Sequence, residues 1–258
     1  MKKKHTILLV NDDGIFSPGL RFLIKICKKI GKVLVVAPEQ NQSGMSHAIT
    51  VDKEIKINKL ESSKDYEEYS CSGTPVDCVK IATKKILKKK PDLCISGINH
   101  GANYSISTLY SATLHAAVEG TIEGIPSIAI SHLDYSSKID FSSYDNFLEN
   151  LIRKILSSHL IKGVTLNINI PSITCKDLRG IKVCRQGKGK WIEKINSKKN
   201  KKNKFIITGH FESQDKSKDT DIWALDNSFV SVVPIQIDMT DYDYIDNYND
   251  LDDVFQIR

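Results

Sequence analysis

Arginine is scarce in this chain: five of its 37 basic residues are Arg, and the rest are Lys. Arg is the side chain best shaped to read phosphates and bases bidentately, so a formal net charge of +6 does not by itself point to a nucleic-acid polymer. The Lys gather in runs, KKILKKK at 84–90 and KKNKKNK at 198–204, which read as a solvated helix end and a loop. Long apolar runs are missing too. Behind the basic start MKKKH comes only ILLV (7–10), too short for a signal peptide, and no later run is long enough to span a bilayer. The six cysteines (27, 71, 78, 94, 175 and 184) form no C-x-x-C and show no metal-type spacing. They read as small buried hydrophobes in a reducing compartment, which makes the expected location cytoplasmic, with no membrane partner.

Three catalytic patterns are also missing. No G-x-G-x-x-G follows the first strand, which argues against a dinucleotide enzyme. The residue two after Asp12 is Gly14, so the Asp-x-Asp of haloacid-dehalogenase-type phosphatases is not there. A response-regulator receiver needs a phosphoacceptor Asp after its third strand. The nearest candidate, Asp52 in TVDKE, lacks the turn that should follow it.

What is present is ordinary in bulk: 258 residues, 40% hydrophobic and 26% charged, enough to bury a sizeable core. From residue 6 to about 131 short apolar runs alternate with helical patterns. TILLV (6–10) reads as a buried strand. Ser17 and Pro18 form a plausible N-cap and first turn, followed by Leu20, Leu23, Ile24, Cys27 and Ile30 at helical spacing. KVLVVAP (32–38) is a second strand, and this order implies a right-handed crossover. AITVDKEIKI (48–57) alternates like an exposed strand or hairpin arm. A helix with Val76, Val79, Ala82 and Ile86 on one face follows. Then come a strand at 92–96, a helix at 111–124 and a strand at 126–131. Repeated strand–loop–helix units with continuously apolar strands indicate a Rossmann-like, doubly wound α/β fold with a mostly parallel sheet.

Further along, a helix is expected near 145–160 and strands at 164–171 and 228–239. Two long hairpin arms are expected at 181–195 and 204–211 around the Lys/Asn-rich tip, then an acidic surface tail. An arm with little core of its own invites a partner subunit. The chain therefore divides into a core carrying the site, 1–135, and a segment 136–258. The second completes the core and adds a C-terminal β-hairpin/helix extension for oligomerisation.

In an open parallel sheet, ligands bind beyond the carboxyl ends of the strands. The first strand ends on Asn11, Asp12 and Asp13, a pair of repelling carboxylates. The second leads into APEQNQSGMSH with Ser43, and a later one into CISGINHGAN with Asn99 and Asn103. Two carboxylates, a hydroxyl and an amide carbonyl make an all-oxygen set suited to Mg2+ or Mn2+. Ser111 and Thr113 open a helix just beyond, and a helix start beside a cation is a phosphate cradle. His115, one turn deeper, is expected to pack.

These residues lie in stretches that together resemble the SurE (survival protein E) family of nucleoside-monophosphate phosphatases. ILLVNDDGIFSPGL, VVAPEQNQSGMSHAIT, CSGTPVDCVKIA, DLCISGINHGANYSISTLYSATLHAAVEG and DNSFVSVVPIQIDMT follow the family's motifs in order. The resemblance implies a divalent-metal-dependent phosphatase acting on nucleoside 5′- and 3′-monophosphates. It also implies a single domain with an extension reaching to another subunit, hence a homodimer or homotetramer. The family's metal ligands fall on Asp12, Asp13, Ser43 and Asn99. Asp12 and Asp13 are the expected catalytic groups, either one accepting a water's proton. Asn99, Asn103, Ser111, Thr113 and Gly44 are the expected phosphate-binding set. Ala112 stands where the family commonly has Gly, which leaves the roles of Ser111 and Thr113 open. Two other functions are compatible with the same residues: a non-catalytic metal- or nucleotide-binding signalling module, and a short-chain polyphosphatase.

Overall fold

The computed structural model describes residues 4–136, 139–158, 163–197 and 203–247. β1 (His5–Val10) lies in the middle of the main sheet because both of its faces are apolar. Ile7 and Leu9 join one side of the core, while Leu8 and Val10 join the other, and all four are fully buried. Each such side chain contributes about 1.5–3 kcal/mol relative to exposure. β2 (Gly31–Pro38) pairs parallel to β1 on one side and β5 (Leu93–His100) on the other. The order reverses between β1 and β5, so the switch point falls where Asn11, Asp12 and Asp13 leave the strand.

The sheet has nine strands in the order β3-β4-β2-β1-β5-β6-β7-β11-β8 among the described residues. Neighbours from β4 (Tyr66–Cys71) through β6 (Ser127–His132) to β7 (Val164–Ile170) are parallel. At one edge β3 (Ile57–Ser63) runs antiparallel to β4. At the other, β11 (Phe229–Gln236) runs antiparallel to β7, with β8 (Gly180–Val183) parallel to β11. A separate antiparallel ribbon joins β9 (Lys190–Ser197) to β10 (Phe205–Glu212).

Helices cover both faces. α1 (Pro18–Lys28) buries Leu20, Leu23, Ile24 and Cys27, and α4 (Asp145–Ser157) packs beside it through Leu148, Ile152 and Ile155. Lys25 and Lys29 reach Asp145 across this pair at 2.8 and 2.5 Å. On the opposite face lie α2 (Pro75–Ile81), which continues as a wider turn over Ala82–Ile86, and α3 (Ala112–Ile122). Thr74 and Asp77 form a full capping box at the start of α2. α5 (Asp221–Asp226) and α6 (Tyr242–Asn247) complete the chain order.

Four local expectations are corrected. Residues 48–56 form no strand; that edge is made by β3, starting at Ile57, because Thr74 and Asp77 take the bonding groups of Ala48 and Thr50 instead. β5 runs on to His100 rather than ending at 96, carried past Gly97 by a register shift against β6. The first hairpin arm is broken: Gly180–Val183 joins the main sheet, and only Lys190–Ser197 pairs with β10. Ser17 does occupy the N-cap of α1, but its hydroxyl accepts from Asn11 Nδ2 at 2.7 Å rather than from the helix. Most of the Lys/Asn-rich tip (198–202) and the end of the acidic tail (248–258) lie outside the described residues.

Gly19 lets the start of α1 rest directly on β5. A Cβ there would stand 2.1 Å from the Ile98 carbonyl oxygen, a backbone atom that cannot step aside. Gly19→Ala is expected to destabilise the fold by about 3 kcal/mol or more, above the usual range for an added methyl, because the clash is with backbone. Urea unfolding measures it, and an unchanged midpoint would contradict this packing.

Candidate active site

At the end of β1 the chain turns sharply, held by Asn11, whose Nδ2 donates to the Gly14 carbonyl at 2.9 Å. Gly14 has φ +103°, a conformation that glycine tolerates and other residues resist. The turn puts Asp12 on the wall of a cavity of about 650 Å3; Asp13, next in sequence, is half-buried and does not line it. That volume lies within the range of small-molecule sites. Asp12 is 3% exposed. Burial first, and the Asp13 charge second, push its carboxyl up to about 7, although the Thr113 hydroxyl donates to Oδ1 at 2.5 Å and opposes the rise. A buried carboxylate beside another is short of positive charge, and a bound cation removes that deficit.

The other sequence-selected residues converge on the same cavity from three loops. Ser43 and Gly44 line it from the segment after β2. That segment is drawn in by Gln42 N–H donating to the Asp12 carbonyl at 2.7 Å and by Ser46 Oγ donating to the Leu109 carbonyl at 2.7 Å. Gly44 has φ +77°. Asn99, at the end of β5, spends its Nδ2 on the Gly101 carbonyl at 2.9 Å, so its Oδ1 is the atom left to serve a ligand. Asn103 and Ser111 also line the cavity. Ser111 is the N-cap of α3 and accepts the Leu114 N–H at 3.0 Å. Thr113 is fully buried and absent from the cavity wall; it stands behind Asp12, holding that carboxylate.

Among the described residues no three His, Cys, Asp or Glu side chains are grouped as a metal site, so a cation here would depend on neutral oxygens as well as acids. The donor set fits that demand. It combines the two carboxylates, the Ser43 hydroxyl and the Asn99 carbonyl, hard ligands of the kind Mg2+ and Mn2+ take.

Two groups of residues were not foreseen from the sequence. The first is Asn167 and Asn169 on β7, both fully buried. Asn169 Oδ1 accepts the Asn103 N–H at 2.9 Å, and Asn167 Nδ2 donates to the Asn103 carbonyl at 2.7 Å. Asn103 Nδ2 in turn donates to Ser131 Oγ at 2.8 Å. The signal was two Asn at alternate positions in the otherwise apolar VTLNINI, which places both on one face. The second group comes from the ribbon: Trp191, Glu193, Ile207, Thr208 and Gly209 overhang the cavity. Trp191 Nε1 donates to Ser107 Oγ at 3.2 Å, and buried Asp221 accepts the Ser105 and Gly187 N–H groups at 2.9 and 2.8 Å, pinning the ribbon's base. No local pattern in the sequence predicts this return.

His115 packs within α3, its Nδ1 2.8 Å from the Ser111 carbonyl, and its ring meets His47 edge-on at 5.3 Å. His47 belongs to the Ser43 segment and reaches Glu119, whose other oxygen meets Lys80 at 2.6 Å. Glu119 is 1% exposed, so it anchors the segment from inside the core.

The family model described as "Survival protein SurE" matches residues 7–193. The 5′-nucleotidase SurE of Flavobacterium psychrophilum is 48% identical over 252 residues, covering 96% of this chain and 98% of that protein. The 5′-nucleotidase SurE of Christiangramia forsetii is 48% identical over 248 residues, covering 95% of each. The crystal structure of the SurE protein from Aquifex aeolicus superposes with a TM-score of 0.83 at 37% identity, covering 96% of this chain and 99% of that one.

The Glu119 anchor has a pH signature. Burial raises its carboxyl, but the bonds from His47 and Lys80 outweigh burial and hold it below the ordinary value of 4.5. A carboxylate held down in the fold stabilises above its ordinary value, and the gain is lost as pH falls through the depressed one. Glu119→Gln is therefore expected to cost about 1–2 kcal/mol at pH 7, a modest figure because Lys80 is well solvated. The difference from the native chain should shrink below the ordinary Glu range. Urea unfolding across that range checks it, and a pH-independent gap would contradict the anchor.

Proposed function

This chain belongs to the SurE family, and from that premise we propose that it is a 5′-nucleotidase. It would hydrolyse nucleoside 5′-monophosphates, and 3′-monophosphates as well, to nucleoside and phosphate. One observation carries the proposal. A buried carboxylate, Asp12, at the switch point of a parallel sheet, with Asp13 half-buried next to it, lines a cavity together with neutral oxygen donors and the start of an eleven-residue helix. The relatives lend no support to a non-catalytic signalling module or a polyphosphatase.

In this proposal Asp12, Asp13, Ser43 and Asn99 hold Mg2+ or Mn2+. When bound, such a cation supplies Lewis acidity toward a phosphoryl oxygen and makes a water a better nucleophile. The chain's own residues do the rest. Asn103, the Gly44 backbone and the first turn of α3 at Ser111 receive the phosphate oxygens, since N–H groups at a helix start favour an anion. Thr113 acts on the phosphate only indirectly, by fixing the Asp12 carboxylate. One of Asp12 and Asp13 takes the proton of the attacking water. The aromatic and ribbon residues around the mouth narrow access to bulk water.

We further propose that the chain works as a homodimer or homotetramer in the cytoplasm, with residues 136–258 supplying the contacts. Apolar side chains on the ribbon support this: Ile195, Phe205 and Ile207 are each more than 60% exposed. A groove to which this segment contributes Val183, Ile235, Ile237 and Met239 adds to it. The six free thiols suit a reducing compartment, and no helix among the described residues is long and apolar enough to cross a membrane.

Purified protein with a nucleoside 5′-monophosphate and Mn2+ is expected to release phosphate, and EDTA to abolish the release. Asp13→Asn should cut turnover by about 10–100-fold or more in limiting Mn2+. Native-like release by that variant would overturn the site. Light scattering at micromolar protein should report a dimer or larger, and a monomer would overturn the assembly.

A further inference from the structure

His100 closes β5 and lines the candidate cavity, yet nothing in the proposed hydrolysis uses its ring. Its Nδ1 lies 3.0 Å from Oδ2 of Asp13, and its backbone N–H donates to the same oxygen at 3.2 Å. Two donors from one residue thus converge on a single carboxylate oxygen. The ring is held in place edge-on against Phe141, centroids 5.7 Å apart, and Phe141 is itself 5% exposed. Nε2, on the other side of the ring, is buried with no hydrogen-bond partner among the described residues. A bare lone pair there is less costly than an unpaired N–H, so the proton belongs on Nδ1, where it meets Asp13.

Building on the proposed cation site, we infer that His100 is a positioning residue for Asp13: it claims Oδ2, and so presents Oδ1 alone to the cation. A free carboxylate in this place could swing or chelate through both oxygens. With Oδ2 engaged by two hydrogen-bonding groups of His100, Asp13 would offer a cation one oxygen of fixed direction, leaving room for water and phosphate. Partners of this kind behind a metal ligand are worth about 10–100-fold in metal affinity. Thr113 does the same for Asp12, whose Oδ1 it bonds at 2.5 Å. The two adjacent carboxylates are thereby each reduced to one free oxygen by a donor from a different element, α3 for one and β5 for the other.

The test is Mn2+ binding to the full chain, followed by electron paramagnetic resonance, beside phosphate release over a Mn2+ series. His100→Asn keeps an amide nitrogen near the position of Nδ1, whereas His100→Leu fills the space with no donor; the backbone bond persists in both. His100→Leu is expected to bind Mn2+ about 10-fold more weakly than the native chain, and His100→Asn within about 3-fold of it. At saturating Mn2+ His100→Asn should turn over within about 3-fold of the native chain, and His100→Leu should regain most of the turnover it loses at limiting Mn2+, since the ring touches Asp13 and not the substrate. Should His100→Leu fail to fold in EDTA, His100→Gln takes its place; its amide reaches the Nε2 position and misses Asp13. Native-like Mn2+ affinity in the donorless variant overturns the inference and leaves the cation site standing. A turnover loss in both variants that saturating Mn2+ does not restore also overturns it, because the ring would then be a direct participant. Failure of the native chain to bind Mn2+ overturns the cation site, and this inference with it.

Discussion

Asp12 and Asp13 follow one another at the end of a strand buried on both faces, and their mutual repulsion sets the terms for everything around them. Taking one carboxylate out of water is costly, and a second beside it adds to the cost. The chain spends several of its buried polar groups on making this arrangement tolerable. Thr113 donates to one carboxylate from α3, and His100 donates to the other from the end of β5, the strand paired with β1. The residual deficit, visible in an Asp12 carboxyl pushed up to about 7, is one that the proposed cation would relieve. A site that was comfortable without a cation would have less reason to hold one.

The second constraint is that four chain segments must meet at that point and stay there. Loops carry unpaired backbone groups, so each needs internal partners. The Ser43 segment is tied to the Asp12 backbone, to the end of the 105–109 turn, to α2 through Ala48 and Thr50, and to α3 through His47 and Glu119. The loop after β5 is tied to β7 through the Asn103–Asn167–Asn169 cluster and to the ribbon through Asp221. Much of the chain beyond residue 136 therefore serves the site without lining it. Among the described residues beyond 136, the ribbon alone both supports the loop and overhangs the cavity.

Much of this was legible beforehand, for physical reasons that can be named. Continuous apolar strands alternating with helical spacing identify a doubly wound sheet, because only strands covered on both faces need both sets of side chains apolar. Oxygen-bearing residues at the ends of three such strands identify the place where a ligand would sit. The expected strand at 48–57 failed because alternation describes a half-buried face, whether or not a ladder forms. That segment found its partners in the Thr74–Asp77 cap. The split hairpin arm failed because Gly180–Val183 had a better partner in β11 than in β10, a choice made between residues far apart in the chain.

By itself, the sequence determined the fold class, the strand ends that converge, and the types of atom offered there, since burial patterning and donor chemistry are local properties of the chain. Tertiary structure alone decided how each group is used. It put Thr113 behind Asp12 rather than on the cavity wall, and tied Asn103 to Asn167 and Asn169 of β7. It set His100 against Asp13 and brought Trp191 back over the mouth. These outcomes turn on which hydrogen-bond partner is nearest in space, and for a buried polar group that depends on elements a hundred residues away.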